Sequence, residues 1–195
     1  MTEITKTHAE WAVVDRLRSM LNETPHTVYN VTQSYGLCIA IMAWVMQRIR
    51  TPVGKALSPE DRAAVSVKKA LELQRVEALP WGLKTGAAGS APAAHGDFIG
   101  FTAFRFLEWL RNAICHGDAR QIAPVNHGNK LTGFEVRATA RNDQERALVL
   151  TENDWRRIGS SLAQMYCEAL QSAVSPVPDH FIEDARSMRE QRKAA

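Results

Sequence analysis

The chain has 195 residues, 45% of them hydrophobic and 23% charged, and a net charge of +3. That suits one domain with a sizeable core, or one domain with a tail, and nothing in the composition forces disorder. The mild positive charge excludes a polycation; it permits an RNA or phosphate ligand without pointing to one. Three cysteines, Cys38, Cys115 and Cys167, are odd in number and none lies at C-x-x-C spacing, which favours a reducing compartment over a disulfide framework.

Met1 to Glu10 is polar and lacks the apolar segment of a signal peptide. The most apolar run, Gly36 to Met46, has eleven residues, whereas a membrane span needs about 20. A cytoplasmic protein with no membrane partner is expected.

Ile4, Trp11, Val14, Leu17 and Leu21 form the stripe of a first amphipathic helix, which Thr24-Pro25 ends. A second helix is expected from about Thr27 or Val28 to Arg50. Its centre, Leu37 to Met46, is apolar on every face. Such a helix must be covered all round, in the middle of a core or at a subunit interface. Ser58-Pro59-Glu60-Asp61 starts a third helix with a cap, a first-turn proline and acids at the positive helix end. It is expected to reach about Arg75.

Ala78 to Gly96 is rich in Gly, Ala and Pro and reads as a long surface loop. Its Gly86-Ala87-Ala88-Gly89-Ser90 lacks the GK[ST] ending of a phosphate loop. Asp97 is placed to cap an intensely apolar helix that includes Phe98, Phe101, Phe104, Phe106 and Trp109 and stops at His116-Gly117. The period then changes. Leu131 to Ala138 and Arg146 to Leu150 read as two short strands around Arg141-Asn142-Asp143. Thr151-Glu152-Asn153-Asp154 opens a final long helix in a capping-box-like pattern, with Trp155, Ile158, Leu162, Tyr166, Ala169 and Ala173 as its stripe. The expected fold is therefore all-α: a helical bundle over 1–175, with a small β-hairpin insertion at about 131–150 before the last long helix. Residues 176–195 form a charged tail or short helix.

The chemistry concentrates in Arg111-Asn112-Ala113-Ile114-Cys115-His116. Arg111 presents a charged, planar fork that can hold two phosphate oxygens and offset the charge of a pentacovalent transition state. His116 titrates near neutrality, so it can take a proton from a 2′-hydroxyl or give one to a leaving oxygen. Asn112 adds an amide that can orient a phosphate or a histidine tautomer. No metal or cofactor is needed. Five residues of helix place Arg111 and His116 about 140° apart. They converge only if the helix bends or ends at His116-Gly117, or if two copies of the motif meet across a dimer.

Leu110-Arg111-Asn112-Ala113-Ile114-Cys115-His116-Gly117 resembles the R-x4–6-H motif of HEPN domains, in which a polar residue usually follows the arginine. The helical plan is similar too. The continuation Gly117-Asp118-Ala119-Arg120, then a hairpin and a last helix, resembles the plasmid-borne HEPN-like branch. The motif covers eight residues, and the broader resemblance runs from Asp97 to Ala173. It implies a metal-independent endoribonuclease that acts as a homodimer with a composite site, leaves a 2′,3′-cyclic phosphate, and serves as a toxin or defence effector. Arg111 would bind the scissile phosphate, Asn112 would assist, and His116 would be the general base or acid. Expected partners are RNA, a second copy and an antitoxin or other partner protein. The family also contains non-catalytic modules that bind a partner protein or nucleotide, and this is the alternative function.

Purely structural roles compete with these. Arg111 can pair with Glu108, and His116 can rest on the helix dipole. His127 in Asn126-His127-Gly128-Asn129 reads as part of a polar turn, and Cys115 as packing. Arg137, Arg141, Arg146, Arg156 and Arg157 offer either an RNA-facing patch or a solvated face.

Overall fold

A computed structural model describes residues 9–23, 29–51, 58–76, 98, 100–116, 122–139 and 145–173. Its elements are α1 (Ala9–Asn22), α2 (Asn30–Arg50), α3 (Pro59–Leu73), α4 (Ala103–His116), β1 (Ile122–His127), β2 (Lys130–Thr139), β3 (Glu145–Thr151) and α5 (Glu152–Ala173). The protein is mostly helical with a small antiparallel sheet. Among the described residues no helix is long and apolar enough to cross a membrane.

Capping chemistry sets two of the helix starts. Ser58 accepts from the Asp61 backbone N–H, and the Asp61 carboxylate accepts from the Ser58 N–H, both at 3.1 Å, with Pro59 in the first turn. Thr151 and Asp154 make the same reciprocal pair at the head of α5. There the carboxylate takes a second bond from the threonine hydroxyl at 2.6 Å.

The centre of the bundle is α5, which packs against α1, α2 and α3. Its expected stripe is buried at Trp155, Ile158, Leu162 and Tyr166, and Cys167 and Leu170 extend it. Gly159 permits the α2–α5 approach. A Cβ there would lie 2.5 Å from Leu21 Cδ2 and 3.2 Å from Cys38 Cα. A polar cluster ties four helices together at the edge of this core. The Tyr166 hydroxyl donates to Glu10 at 2.7 Å, and Arg48 pairs with Glu10 at 3.0 Å and Asp61 at 3.4 Å. Burial first, then the hydrogen bond to Glu10, pushes the Tyr166 phenol well above its ordinary value.

Three expectations need correction. The expected two-stranded hairpin is a three-stranded sheet in the order β1-β2-β3. The β2–β3 hairpin matches the expected strands, and β1 is a further strand before them. It joins β2 through Gly128-Asn129, where Gly128 has φ +59°, with His127 paired to Lys130 and a bulge between Val125 and Asn126. The fourth helix starts at Ala103, not near Asp97. Gly100 at φ +79° breaks the backbone there, so Phe98 and Phe101 reach the core from a turn. Phe98 meets the rings of Phe101, Phe106 and Trp109 with centroids at 4.7–5.4 Å. The third helix ends at Leu73, because Arg75 leaves it to bridge Thr102, and Val76 donates to the Phe101 carbonyl at 3.0 Å. Asp97, the Ala78–Gly96 loop, the turn at Arg141-Asn142-Asp143 and the tail 176–195 lie outside the described residues.

Candidate functional site

The motif occupies the last two turns of α4. One side of that helix packs on α2, where Glu108 pairs with Arg50 at 3.1 Å. Another side packs on β2, where the Trp109 indole donates to the Ala138 carbonyl at 3.4 Å. The arc of the helix turned away from the core carries the motif. Leu107, Leu110 and Ala113 point into the core, while Asn112 and Cys115 are exposed and Arg111 is half-buried at the α2 edge. At 100° per residue, positions 111 and 116 stand about 140° apart on this arc, with positions 115, 108 and 112 between them, so the Glu108–Arg50 pair lies on the same face as the motif.

Two of the three expected site residues are joined directly. The Arg111 guanidinium donates from Nη1 to Asn112 Oδ1 at 3.0 Å. That bond uses the oxygen of the Asn112 amide and sets its nitrogen, a donor, beside the guanidinium. His116 is the last residue of α4. Of this residue only the backbone position is described, and Gly117 to Arg120 lie outside the described residues.

The expected role of Cys115 as packing is corrected: its thiol is exposed, whereas Cys38 and Cys167 are buried. Burial pushes the Cys38 thiol up to about 12, although a backbone hydrogen bond at Gly159 pulls the other way. An alkylating reagent is therefore expected to modify Cys115 first in the native protein, and Cys38 and Cys167 only after unfolding. Peptide mapping by mass spectrometry reads this directly, and equal labelling of Cys38 in the native state would contradict the burial.

Sequence reasoning missed the neighbours of this end of α4. Tyr35 of α2 is half-buried, with its ring 4.6 Å from Phe134 of β2 and 5.1 Å from Trp155 of α5. Its phenol is raised by burial and, secondly, by the field of Cys115. The residues come from four separate elements, and no local spacing signals that they meet.

Among the described residues the second helix is not covered all round: Gly36, Ala40, Ala43, Trp44 and Gln47 form an exposed stripe, with Trp44 at 42% exposure. This stripe runs beside the edge of α2 that holds Arg50 against α4.

Of the five arginines, the four that are described, Arg137, Arg146, Arg156 and Arg157, do not form one patch. Arg146 is buried, its guanidinium 4.8 Å from the Phe101 ring, and Arg105 lies 4.1 Å from that same ring. Strand alternation sends Arg137 to the opposite sheet face, where it pairs with Glu135. Arg156 bonds to Glu152 at 3.0 Å and donates to the carbonyls of Leu21 and Glu23 at 2.7 and 3.1 Å, closing the end of α1. Arg157 is exposed, and Arg141 lies outside the described residues. His127 is exposed at the end of β1, beside the Gly128-Asn129 turn. Among the described residues, no three His, Cys, Asp or Glu side chains converge as a metal site would require.

The chain matches no protein-family model, no curated protein and no solved structure.

Proposed function

We propose that this chain is a HEPN-type, metal-independent endoribonuclease that works as a homodimer, with Arg111, Asn112 and His116 of both copies forming one composite site. The observation that carries this reading is the direct Arg111–Asn112 bond on the outward arc of α4, in the last turns before His116. In this reading Arg111 and Asn112 hold the scissile phosphate, and His116 removes the 2′-hydroxyl proton. The 2′ oxygen then attacks phosphorus, and the 5′ oxygen leaves with a proton returned to it. The products are a 2′,3′-cyclic phosphate and a 5′-hydroxyl end.

The spacing of the motif is compatible with a second copy. Two positions about 140° apart do not face a common phosphate within a continuous helix; α4 ends at His116, and of the two routes to convergence, a helix end or a second copy, this reading takes the second copy. A second motif placed across the arc supplies the missing donor from the other side. The open stripe on α2 gives that copy a place to sit. Gly36, Ala40 and Ala43 allow close backbone approach, and Trp44 provides an aromatic anchor. A toxin or defence role, with a partner protein that restrains it, belongs to the same proposal.

Cleavage of labelled RNA in excess EDTA, with cyclic-phosphate ends on the products, tests the activity. Light scattering tests the assembly. Wild type is expected at twice the monomer mass and Trp44→Glu at the monomer mass, with cleavage lost alongside. Folded, dimeric protein that cleaves no RNA would favour the alternative, a non-catalytic module that binds a partner.

A further inference from the structure

Tyr35 leaves α2 where that helix, α4 and β2 pack on one another. Its ring is held from two sides, by Phe134 of β2 at 4.6 Å and edge-on by Trp155 of α5 at 5.1 Å. Trp155 is fully buried, so the wall behind the ring is part of the core. Packing of this kind locks a rotamer, and the hydroxyl stays where the ring puts it.

That hydroxyl has no role in the fold. Among the described residues it has no hydrogen-bond partner, whereas the Tyr166 hydroxyl donates to Glu10 at 2.7 Å. A hydroxyl sealed from water in that state would be costly. The Tyr35 oxygen escapes the cost by reaching solvent: the described side-chain atoms that are both buried and unpartnered are the indole nitrogens of Trp11 and Trp155. A half-buried ring thus presents one accessible, unused donor.

Two anchors place it. Arg50 pairs with Glu108 at 3.1 Å, and Trp109 donates to the Ala138 carbonyl at 3.4 Å, so α2 and β2 both grip the middle of α4. Tyr35 lies about four turns before Arg50 on α2, and Phe134 lies about 13 Å before Ala138 on β2. Both lead away from the anchors toward one end of α4. The field of the Cys115 thiol on the Tyr35 phenol marks that end as the last turn. Around the helix, position 115 stands between positions 111 and 112, so a group beside Cys115 is beside the motif. Burial first, and Cys115 second, raise the phenol above its ordinary value, which keeps its proton in place at neutral pH. A neutral O–H from α2 thereby joins the guanidinium of Arg111 and the amide of Asn112 from α4.

We infer that Tyr35 contacts the substrate at this site, its hydroxyl donating a hydrogen bond to a non-bridging oxygen of the phosphate held by Arg111 and Asn112. The role rests on the nuclease reading of the motif, and it supplies a donor from a second helix.

Steady-state cleavage of labelled RNA by wild type and Tyr35→Phe, with thermal unfolding of each protein, tests it. Phenylalanine keeps both ring contacts and forfeits no bond within the protein, so Tm is expected within about 2 °C of wild type. The fall in kcat/KM is expected to be at least about tenfold, as for the loss of one hydrogen bond to a charged group. Sulfur in place of one of the two non-bridging oxygens should shrink that penalty, because sulfur is the weaker acceptor. Equal kcat/KM in the two proteins would overturn the role of Tyr35 and leave the nuclease reading standing. A larger drop in Tm would overturn it as well, since the hydroxyl would then serve the fold. A penalty unchanged by sulfur at either position would place the bond elsewhere and count against it equally. Wild type that cleaves no RNA would end the nuclease reading, and the role of Tyr35 with it.

Discussion

Trp155→Ala is expected to cost about 3–5 kcal/mol of stability, enough to remove most of what a domain of this size has. Trp155 is fully buried near the head of α5 and meets Tyr35 of α2 edge-on. Phe134 of β2 lies on the far side of Tyr35, so the indole helps seat the sheet on the helices. Removing it takes the floor from under Tyr35 and leaves a cavity where α2, α5 and β2 meet. The indole nitrogen finds no hydrogen-bond partner among the described residues. Trp155→Phe therefore keeps a ring and loses no bond, and its cost is expected to be far smaller. Urea unfolding followed by circular dichroism measures both. A loss below about 1 kcal/mol for Trp155→Ala would contradict the packing described.

Helices were legible wherever their ends carry chemistry. Ser58-Pro59 and Thr151 with Asp154 announce their caps, and the stripes of α1 and α5 announce their buried faces. The start of α4 was not legible. Phe98 and Phe101 stand three residues apart and mimic a helical stripe, while Gly100 between them interrupts the helix at positive φ. The first strand was missed because only Ile122 and Val125 along it are even half-buried, so its pattern is too weak to mark a buried face. Its signal lay in the turn: Gly128-Asn129 between two extended runs is a two-residue hairpin connection. At the site, Arg111 and Asn112 could be picked out by their chemistry alone. Tyr35 and Phe134 could not, since they lie 99 positions apart in the chain and meet only through the packing of α2 on the sheet. The apolar run of α2 signalled a core or an interface. The structure shows a core on one side and an open stripe on the other.

The largest functional effect is expected at the motif. Arg111→Ala removes the fixed positive charge and its bond to Asn112. In the proposed reading His116→Ala removes the proton carrier, and general acid–base catalysis by one positioned group contributes about 10²–10⁴-fold. The Arg111 change does not open the core. Arg111 is half-buried at the edge of α4, and His116 is the final residue of that helix. If the proposed reading holds, both variants keep the circular dichroism spectrum of the wild type while losing cleavage. Arg111→Lys keeps the charge and loses the planar fork, so an intermediate rate is expected if the two-oxygen grip matters.

The most direct measurement is a time course of labelled RNA with wild type, Arg111→Ala and His116→Ala in excess EDTA, with circular dichroism on each protein. The account predicts cleavage by wild type, ending in 2′,3′-cyclic phosphates, and a rate at least about a hundredfold lower in both folded variants. Cleavage by wild type that persists unchanged in either folded variant would contradict it, as would a wild type that needs added metal to cleave.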